Sequence, residues 1–487
     1  MNKLEKLNKL FINGVWRDGK SDFVLDVINP FNNEVIYKFK GANQADLDEA
    51  YESAKKAQKA WAARLPNERS AIVNKVADLI ELHKDEISDI MARECGSTFI
   101  KQQVEMAITA NICREAATFP TRLHGYIYDS FTPGKESRAY RKPLGVIGVI
   151  SPFNFPFNLS MRSVATAIAI GNAVVLKPAE DTPIIGGMLI AKLFEEAGLP
   201  AGVLNVVTGN IAEIGDAFTS HPIPNMISFT GSTPVGIRIG KIAAEGLKKT
   251  ALELGGNNVF VVLKDADIDQ AVSAAIFGKF MHQGQICMSV NRFLIQKEVA
   301  EEFTTKFVKK VSELKYGNPT DKEVLVGPVI HDRAADRIMK LVDDAVKEGA
   351  KIAVGGTREG RLIAPTVLVD VSANSIFNHT EIFGPVAPII VFDTEEQMLE
   401  IANGTDFGLS GAIHTRDLNK GVQLARKIET GMIHVNDQTV NDEPNAPFGG
   451  VKHSGLGTFN GNFILEEFST VQWVTVQQEP RDYTPFN

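Results

Sequence analysis

The chain has 487 residues, 44% hydrophobic and 23% charged, which is enough apolar sequence for two or three domains and excludes a single small core. Its 51 basic against 59 acidic residues leave a formal net charge of -8, which excludes a nucleic-acid or anionic-membrane surface as the main partner. The three cysteines, Cys95, Cys113 and Cys287, contain no close pair, so a disulfide scaffold and CxxC chemistry are excluded and a reducing, cytoplasmic setting is expected.

In chain order, the opening MNKLEKLNKLFINGVW has no apolar run of signal-peptide length. LFINGVW, DGK and FVLDVINP read as short strands with turns at NG and DG. Residues 44–118 are largely helical, because apolar and small residues recur at helical spacing between charges. From residue 143 the pattern changes. PLGVIGVI, NAVVLKP, VLNVVTG and MISFTG are nearly continuous apolar runs of strand length, alternating with the helices FNLSMRSVATAIAIG and IIGGMLIAKLFEEAG. That order predicts an open α/β sheet. A second α/β region follows over 256–450, with VFVVL, FLIQ, TVLVD, PIIVF and SGAIHT as strands and AVSAAIFGKFMHQG among the helices. Two β-rich segments stand outside both regions, SRAYRKP at 137–143 and the terminal FILEEFSTVQWVTVQQ. They are expected to pair with each other or with another subunit, since an unpaired edge invites aggregation. No apolar stretch reaches the length of a membrane span.

Six places along this frame carry groups suited to chemistry. Asn154, in SPFNFPFN, follows a predicted strand and is stiffened by flanking prolines. It reads equally as a fixed amide donor for an oxyanion and as a helix cap. KPAE ends the next strand, and Lys177 and Glu180 are placed to hydrogen-bond ribose hydroxyls. A carboxylate there repels a 2′-phosphate and favours NAD over NADP. GSTPVG, 231–236, lies between a strand and a helix, where free N–H groups hold a pyrophosphate, although the GxGxxG fingerprint is absent. Glu253, in LELGG, sits between leucines, a setting that raises a carboxyl pKa toward that of a general base. Cys287, in GQIC, falls near an element end where a thiol is accessible to an electrophilic carbon. Cys95 and Cys113 read as small buried hydrophobes. Glu381, in TEIFGPVAP, falls at a turn into a strand. The nine histidines form no HxH, HxxH or HExxH set, so no metal site is expected.

Taken together, SPFNFP, VVLKPAE, SFTGSTPVG, LELGGNN, GQIC, EIFGPV, NGTDFGLSGAI, HVND and PFGGVKHSGLG, in that order, resemble the NAD(P)-dependent aldehyde dehydrogenase superfamily over almost the whole chain. FMHQGQICMSVNRFLI resembles the branch acting on aromatic aldehydes, the benzaldehyde and vanillin dehydrogenases. The resemblance implies an NAD-binding domain with a Rossmann-type open sheet (1–122 and 144–255), an α/β catalytic domain (256–455), and an oligomerisation arm with a C-terminal strand (123–143 and 456–487). It implies Cys287 as nucleophile, Glu253 as general base, and Asn154 with the Cys287 N–H as oxyanion hole. For the cofactor, NAD with NADP as an alternative, it implies Lys177, Ala179 and Glu180 at the adenosine ribose and Gly209 near the adenine. Gly231 and Ser232 fall against the pyrophosphate, with Phe229, Thr230 and Val235 beside them. Ile150, Ser151, Pro152, Phe153 and Leu254 line the rest of the cleft, Glu381 meets the nicotinamide ribose, and Phe383 packs near the ring. Phe153 stands where the family often has tryptophan, and the apolar character is kept. A homodimer or homotetramer is implied.

The expected reaction is thiolate attack on an aldehyde, hydride loss from the thiohemiacetal, and hydrolysis of the resulting thioester. A CoA-acylating enzyme is the first alternative; Glu253 argues against it, because such relatives often lack this base. An apolar tunnel formed by Phe153, Phe157, Met161, Ile286 and Met288 suits aromatic aldehydes, and long aliphatic ones too. A non-catalytic relative would require decay of the residues named above, and all are present.

Overall fold

The computed structural model describes residues 7–484. The first six and last three residues, and so the start of the amino-terminal segment read for a signal sequence, lie outside the described residues. The first sheet is built around five parallel strands, Val146–Ile150, Ala173–Lys177, Leu204–Val206, Met226–Thr230 and Lys249–Glu253. Numbered along the chain, they lie side by side in the order 3-2-1-4-5. The hairpin Leu10–Ile12 and Val15–Arg17 closes one edge and the short strand Gly455–Leu456 the other, both antiparallel. Helices Gln44–Ala62, Pro156–Ile170 and Thr233–Glu245 pack against this sheet. Strand order reverses between Val146–Ile150 and Met226–Thr230, and the carboxyl ends at such a reversal open a crevice for ligands. SPFNFP leaves the first of these strands and GSTPVG the second.

The second sheet has seven strands, with Thr366–Val369, Val386–Phe392, Val290–Gln296, Asn258–Val262 and Gly411–His414 side by side and parallel. Its residues divide between two cores by strict alternation: Val259, Val261 and Leu294 in one, Phe260, Val262, Phe293 and Ile295 in the other. Both faces are covered, which is why these strands are apolar without a break. Helix Asp332–Lys347 contributes Ala335, Ile338, Leu341, Val342 and Ala345, the three-four spacing of a single buried stripe.

The two segments outside the α/β regions find each other. Strand Lys135–Pro143 pairs antiparallel with Ser469–Gln477 through all nine residues, and Tyr126–Tyr128 pairs along its other edge. Three sequence expectations need correction here. FILEE is the short helix Phe463–Glu467, so the strand begins only at Ser469. Helix Thr233–Glu245 starts inside GSTPVG rather than after it. The helix expected to run through HQG stops at Phe280, and His282 and Gln283 adopt left-handed backbone (φ 48° and 47°), followed by Gly284 at 72°. Such a run is costly for non-glycine residues. It is held because Gln283 donates to the carbonyl of Pro328 (2.7 Å) and accepts from Gly327 N–H (3.2 Å). Gln285 accepts from Ile330 N–H (3.1 Å). Among the described residues no helix is long and apolar enough to cross a membrane, and no cluster of three metal-ligating side chains occurs.

Candidate active site

Glu253 is the last residue of its strand in the first sheet, and Asn258 is the first residue of its strand in the second. LELGGNN is therefore the bridge between the two sheets. Cys287 lies three residues before the strand Val290–Gln296, the parallel neighbour of Asn258–Val262. Asn258 fixes the cysteine turn by donating Nδ2–H to the carbonyls of Cys287 and Ser289, both at 2.7 Å. Gly256 lets this approach happen: a Cβ there would stand 2.2 Å from the Cys287 carbonyl oxygen. Parallel pairing of the two strands thus brings the Glu253 carboxyl and the Cys287 thiol close enough to act on each other.

Glu253 is 2% exposed, and neither carboxylate oxygen has a hydrogen-bond partner among the described residues. Burial pushes its pKa up to about 8; Arg162 opposes the shift and Asp442 adds to it. An unpartnered buried carboxylate costs stability, so near neutral pH the side chain is mostly protonated and becomes a proton acceptor only as pH rises toward about 8. Cys287 keeps part of its surface open to the cleft. Its thiol is pushed up to about 12 by burial first, then by the Glu253 and Glu381 carboxylates, with Arg162 and the Met288 N–H pulling the other way. The sulfur is therefore stored as thiol and needs a base to become a nucleophile. Cys95 and Cys113 are fully enclosed, and burial raises both.

Asn154 is 4% exposed and lies two residues before the helix Pro156–Ile170, whose cap position is Phe155. The capping alternative is thus not what its side chain does. Its amide makes no side-chain hydrogen bond among the described residues. Glu381 accepts from the Gly256 N–H (3.1 Å), and Arg337 holds the carbonyls of Glu381 and Ile382 at 2.9 and 2.6 Å. Burial raises its carboxyl to about 7, although part of the residue faces the cleft. Phe383, at φ 49°, turns its ring edge-on to Phe153, with centroids 5.9 Å apart. The two sheets thus meet through this aromatic pair as well.

The expected cofactor residues gather at the strand reversal. Ile150 ends its strand, and the Ser151 N–H donates to the Lys177 carbonyl at 3.2 Å. Ser160 Oγ donates to Ser151 Oγ at 2.6 Å. Pro152 lies partly open beside it and Ala179 on the turn after Lys177. Lys177 Nζ stands 3.9 Å from Glu180, and burial lowers its pKa. Phe229 and Thr230 end the next strand; Gly231 N–H donates to the Glu253 carbonyl (2.9 Å). Ser232 occupies the cap position of Thr233–Glu245 without a side-chain capping bond, and Val235 is exposed on the first turn. Leu254 packs so tightly on Gly236 that a Cβ there would come within 2.2 Å of it. Gly209 instead meets the Ala42 backbone. The donor set fits a dinucleotide: Glu180 Oε1 is buried without a partner, and the first turn of Thr233–Glu245 has uncapped N–H groups.

Sequence reasoning missed Arg162 and Asp442. Arg162, inside Pro156–Ile170, is ion-paired with Asp442 and stacks over Phe448 at 4.0 Å. Asn158 and Asn460 also donate to Asp442, at 3.2 and 2.8 Å. A lone arginine within a helix of small and apolar residues was the one available signal, since helix cores hold such a charge only when it is paired.

A match to the family model for the aldehyde dehydrogenase family spans residues 16–474. The chain belongs to the aldehyde dehydrogenase family. It is 51% identical to a benzaldehyde dehydrogenase of Bacillus subtilis over 99% of this chain and 100% of that one. It is also 51% identical to a vanillin dehydrogenase of Corynebacterium glutamicum over 96% and 98%. The crystal structure of an NAD-dependent benzaldehyde dehydrogenase from Corynebacterium glutamicum superposes with a TM-score of 0.90 at 47% identity, covering 98% of each chain. A Staphylococcus aureus betaine aldehyde dehydrogenase in complex with NAD+ gives 0.95 at 31% identity, over 99% of each chain. This aldehyde dehydrogenase has the family's α/β fold, with a Rossmann-like cofactor region, a catalytic region and a β arm, and its activity is NAD(P)-dependent oxidation of an aldehyde.

Proposed function

We propose that this aldehyde dehydrogenase oxidises an aromatic aldehyde to its carboxylic acid with NAD, using Cys287 as nucleophile, Glu253 as general base and Asn154 as oxyanion donor. The observation that carries the reading is the convergence of a partly buried cysteine and an unpartnered buried carboxylate where the two sheets meet. Cys287 gives its proton to a water molecule, which carries it to solvent, and its sulfur bonds the aldehyde carbon. The Asn154 amide and the Cys287 N–H hold the resulting oxyanion. Bound NAD supplies a hydride acceptor and a positive ring that favours the thiolate. Lys177 and Glu180 would hold its adenosine ribose, Gly231 and Ser232 its pyrophosphate, and Glu381 with Phe383 the nicotinamide end. Glu253 then takes a proton from water, which cleaves the thioester. The NAD-binding part comprises 1–122 and 144–255, the catalytic part 256–455, and the arm 123–143 and 456–487.

An aromatic substrate is supported by the names of the relatives above. It is supported also by apolar surroundings: Phe157, Met161, Ile286 and Met288 belong to the buried cluster against which Cys287 packs. One kinetic panel tests substrate and cofactor together. With benzaldehyde, hydroxylated benzaldehydes, hexanal and acetaldehyde, kcat/KM for benzaldehyde exceeds that for acetaldehyde by about 100-fold, the worth of about 3 kcal/mol of extra ring burial. NAD outperforms NADP by at least about tenfold, because Glu180 repels the 2′-phosphate. Equal values for benzaldehyde and acetaldehyde reject the aromatic assignment; equal values for the two cofactors reject the role of Glu180. A rate that requires CoA would replace water as acceptor.

The protein is expected to be a cytoplasmic homo-oligomer. On the three-stranded arm Trp473 (70% exposed) shares one face with Tyr126, Tyr128 and Val471, all exposed, and Ile127 (75%) stands on the other face. A patch of this kind is covered by a partner in most proteins. Sedimentation at micromolar concentration should show a dimer or tetramer, and a monomer would reject the arm's role.

A further inference from the structure

Beneath the SPFNFP turn lies a buried ion pair with no part in the chemistry above. Lys101 and Glu105, one turn apart on the helix Phe99–Ala116, are both fully buried and bonded to each other. Glu105 Oε1 also accepts from the N–H groups of Phe157 (2.9 Å) and Asn158 (3.1 Å). These belong to the first turn of Pro156–Ile170, where Pro156 has no N–H to offer. One carboxylate thus fixes the start of the helix that begins two residues after Asn154. Lys101 Nζ sits over the Phe155 ring, 4.6 Å from its centroid. On Phe155 the His282 ring packs edge-on at 5.7 Å, and His282 begins the left-handed turn that leads to Cys287. The pair therefore touches the residue after Asn154, the helix turn after that, and through Phe155 the cysteine loop.

A buried ion pair is weak evidence for stability, because desolvation offsets its attraction. Its value here is geometric. An oxyanion donor works only if its amide is held before charge develops, and Asn154 has no side-chain partner of its own to hold it. We propose that Glu105, neutralised by Lys101, is a positioning residue for the oxyanion-binding amide of Asn154. The proposal rests on the oxyanion role assigned to Asn154 above.

The test compares two variants that both remove the buried charges. Lys101→Met/Glu105→Gln keeps an oxygen that accepts from the Phe157 and Asn158 N–H groups. Lys101→Met/Glu105→Leu does not. In the full-length enzyme with NAD and benzaldehyde, the Leu form is expected to show a kcat about tenfold below the Gln form, a fraction of the effect of deleting an oxyanion donor outright. KM for NAD stays the same in both. In an Asn154→Ala background the Leu and Gln forms become equal, because the group that Glu105 positions is gone. If the Leu form does not fold, Glu105→Asp replaces it; this keeps the charge beside Lys101 and draws the carboxylate back by one methylene, with a kcat loss of about fivefold expected on the same scale. Equal kcat in the Leu (or Asp) form and its reference overturns the proposal, as does a difference that persists undiminished without Asn154. Asn154→Ala alone with unchanged kcat rejects instead the oxyanion reading on which the proposal stands.

Discussion

Cys287→Ala eliminates aldehyde oxidation, with kcat reduced by at least about 10³-fold, because no other group in the cleft can form the covalent intermediate. Ester hydrolysis is lost with it. The fold should survive. Asn258 anchors this turn through the backbone carbonyls of residues 287 and 289, and those are unchanged by the substitution. The residue is partly buried against the apolar cluster, so removing its sulfur should cost about 1 kcal/mol. Cofactor binding should be retained, since the groups at the strand reversal do not depend on the thiol. The measurement is NADH absorbance in parallel with a thermal melt and an NAD titration. Turnover at the wild-type level rejects the nucleophilic role; loss of both activity and the melt would mean that the fold had failed, and Cys287→Ser then provides the folded comparison.

Glu253→Gln should slow the hydrolytic half of the reaction by about 10²- to 10⁴-fold, so that a burst of NADH precedes a slow steady state. In the wild-type enzyme the rate should climb with pH as Glu253 deprotonates, flattening above about 8. In the glutamine variant that rise disappears. Stability moves in the opposite sense. The folded carboxyl has a pKa above its unfolded value of 4.5, so its contribution is fully present below about 4.5 and is lost as pH rises to about 8. Each unit in that window removes about 1.4 kcal/mol. A neutral amide at this position carries no such slope. The variant should therefore melt near the wild-type temperature at pH 4 and above it at pH 9. An unchanged steady-state rate across this range defeats the general-base assignment, and a melting difference that does not grow with pH defeats the raised pKa. An enzyme that gains stability by losing a catalytic group fits a site where an unsatisfied charge is tolerated for function.

Much of the architecture was legible because its signals are local. Alternating and continuous apolar runs marked the parallel strands, and the two isolated β segments, SRAYRKP and FILEEFSTVQWVTVQQ, were expected to pair with each other or with another subunit; residues 135–143 and 469–477 pair with each other. The misses have a common origin. FILEE looked like strand because its residues are β-compatible, but burial of Ile464 and Leu465 set it as a helical turn. Nothing local announces left-handed backbone at His282 and Gln283; it is imposed by Gln283 and Gln285 bonding to residues 327–330. Arg162 and Asp442 lie 280 residues apart in sequence and were invisible as a pair. Lys101 and Glu105 stand four residues apart on a helix, and nothing local in the sequence shows that both are buried.

The amino-acid order by itself determined most of the elements and which reactive groups the chain carries, because helical and strand periodicity and short motifs such as LELGG and GQIC act over a few neighbours. Only the tertiary structure decided what those groups are at working pH. The carboxyl of Glu253 is held near 8 and the thiol of Cys287 near 12 by burial and by charges brought from distant parts of the chain. Burial and distance are properties of packing, and no window of sequence contains them.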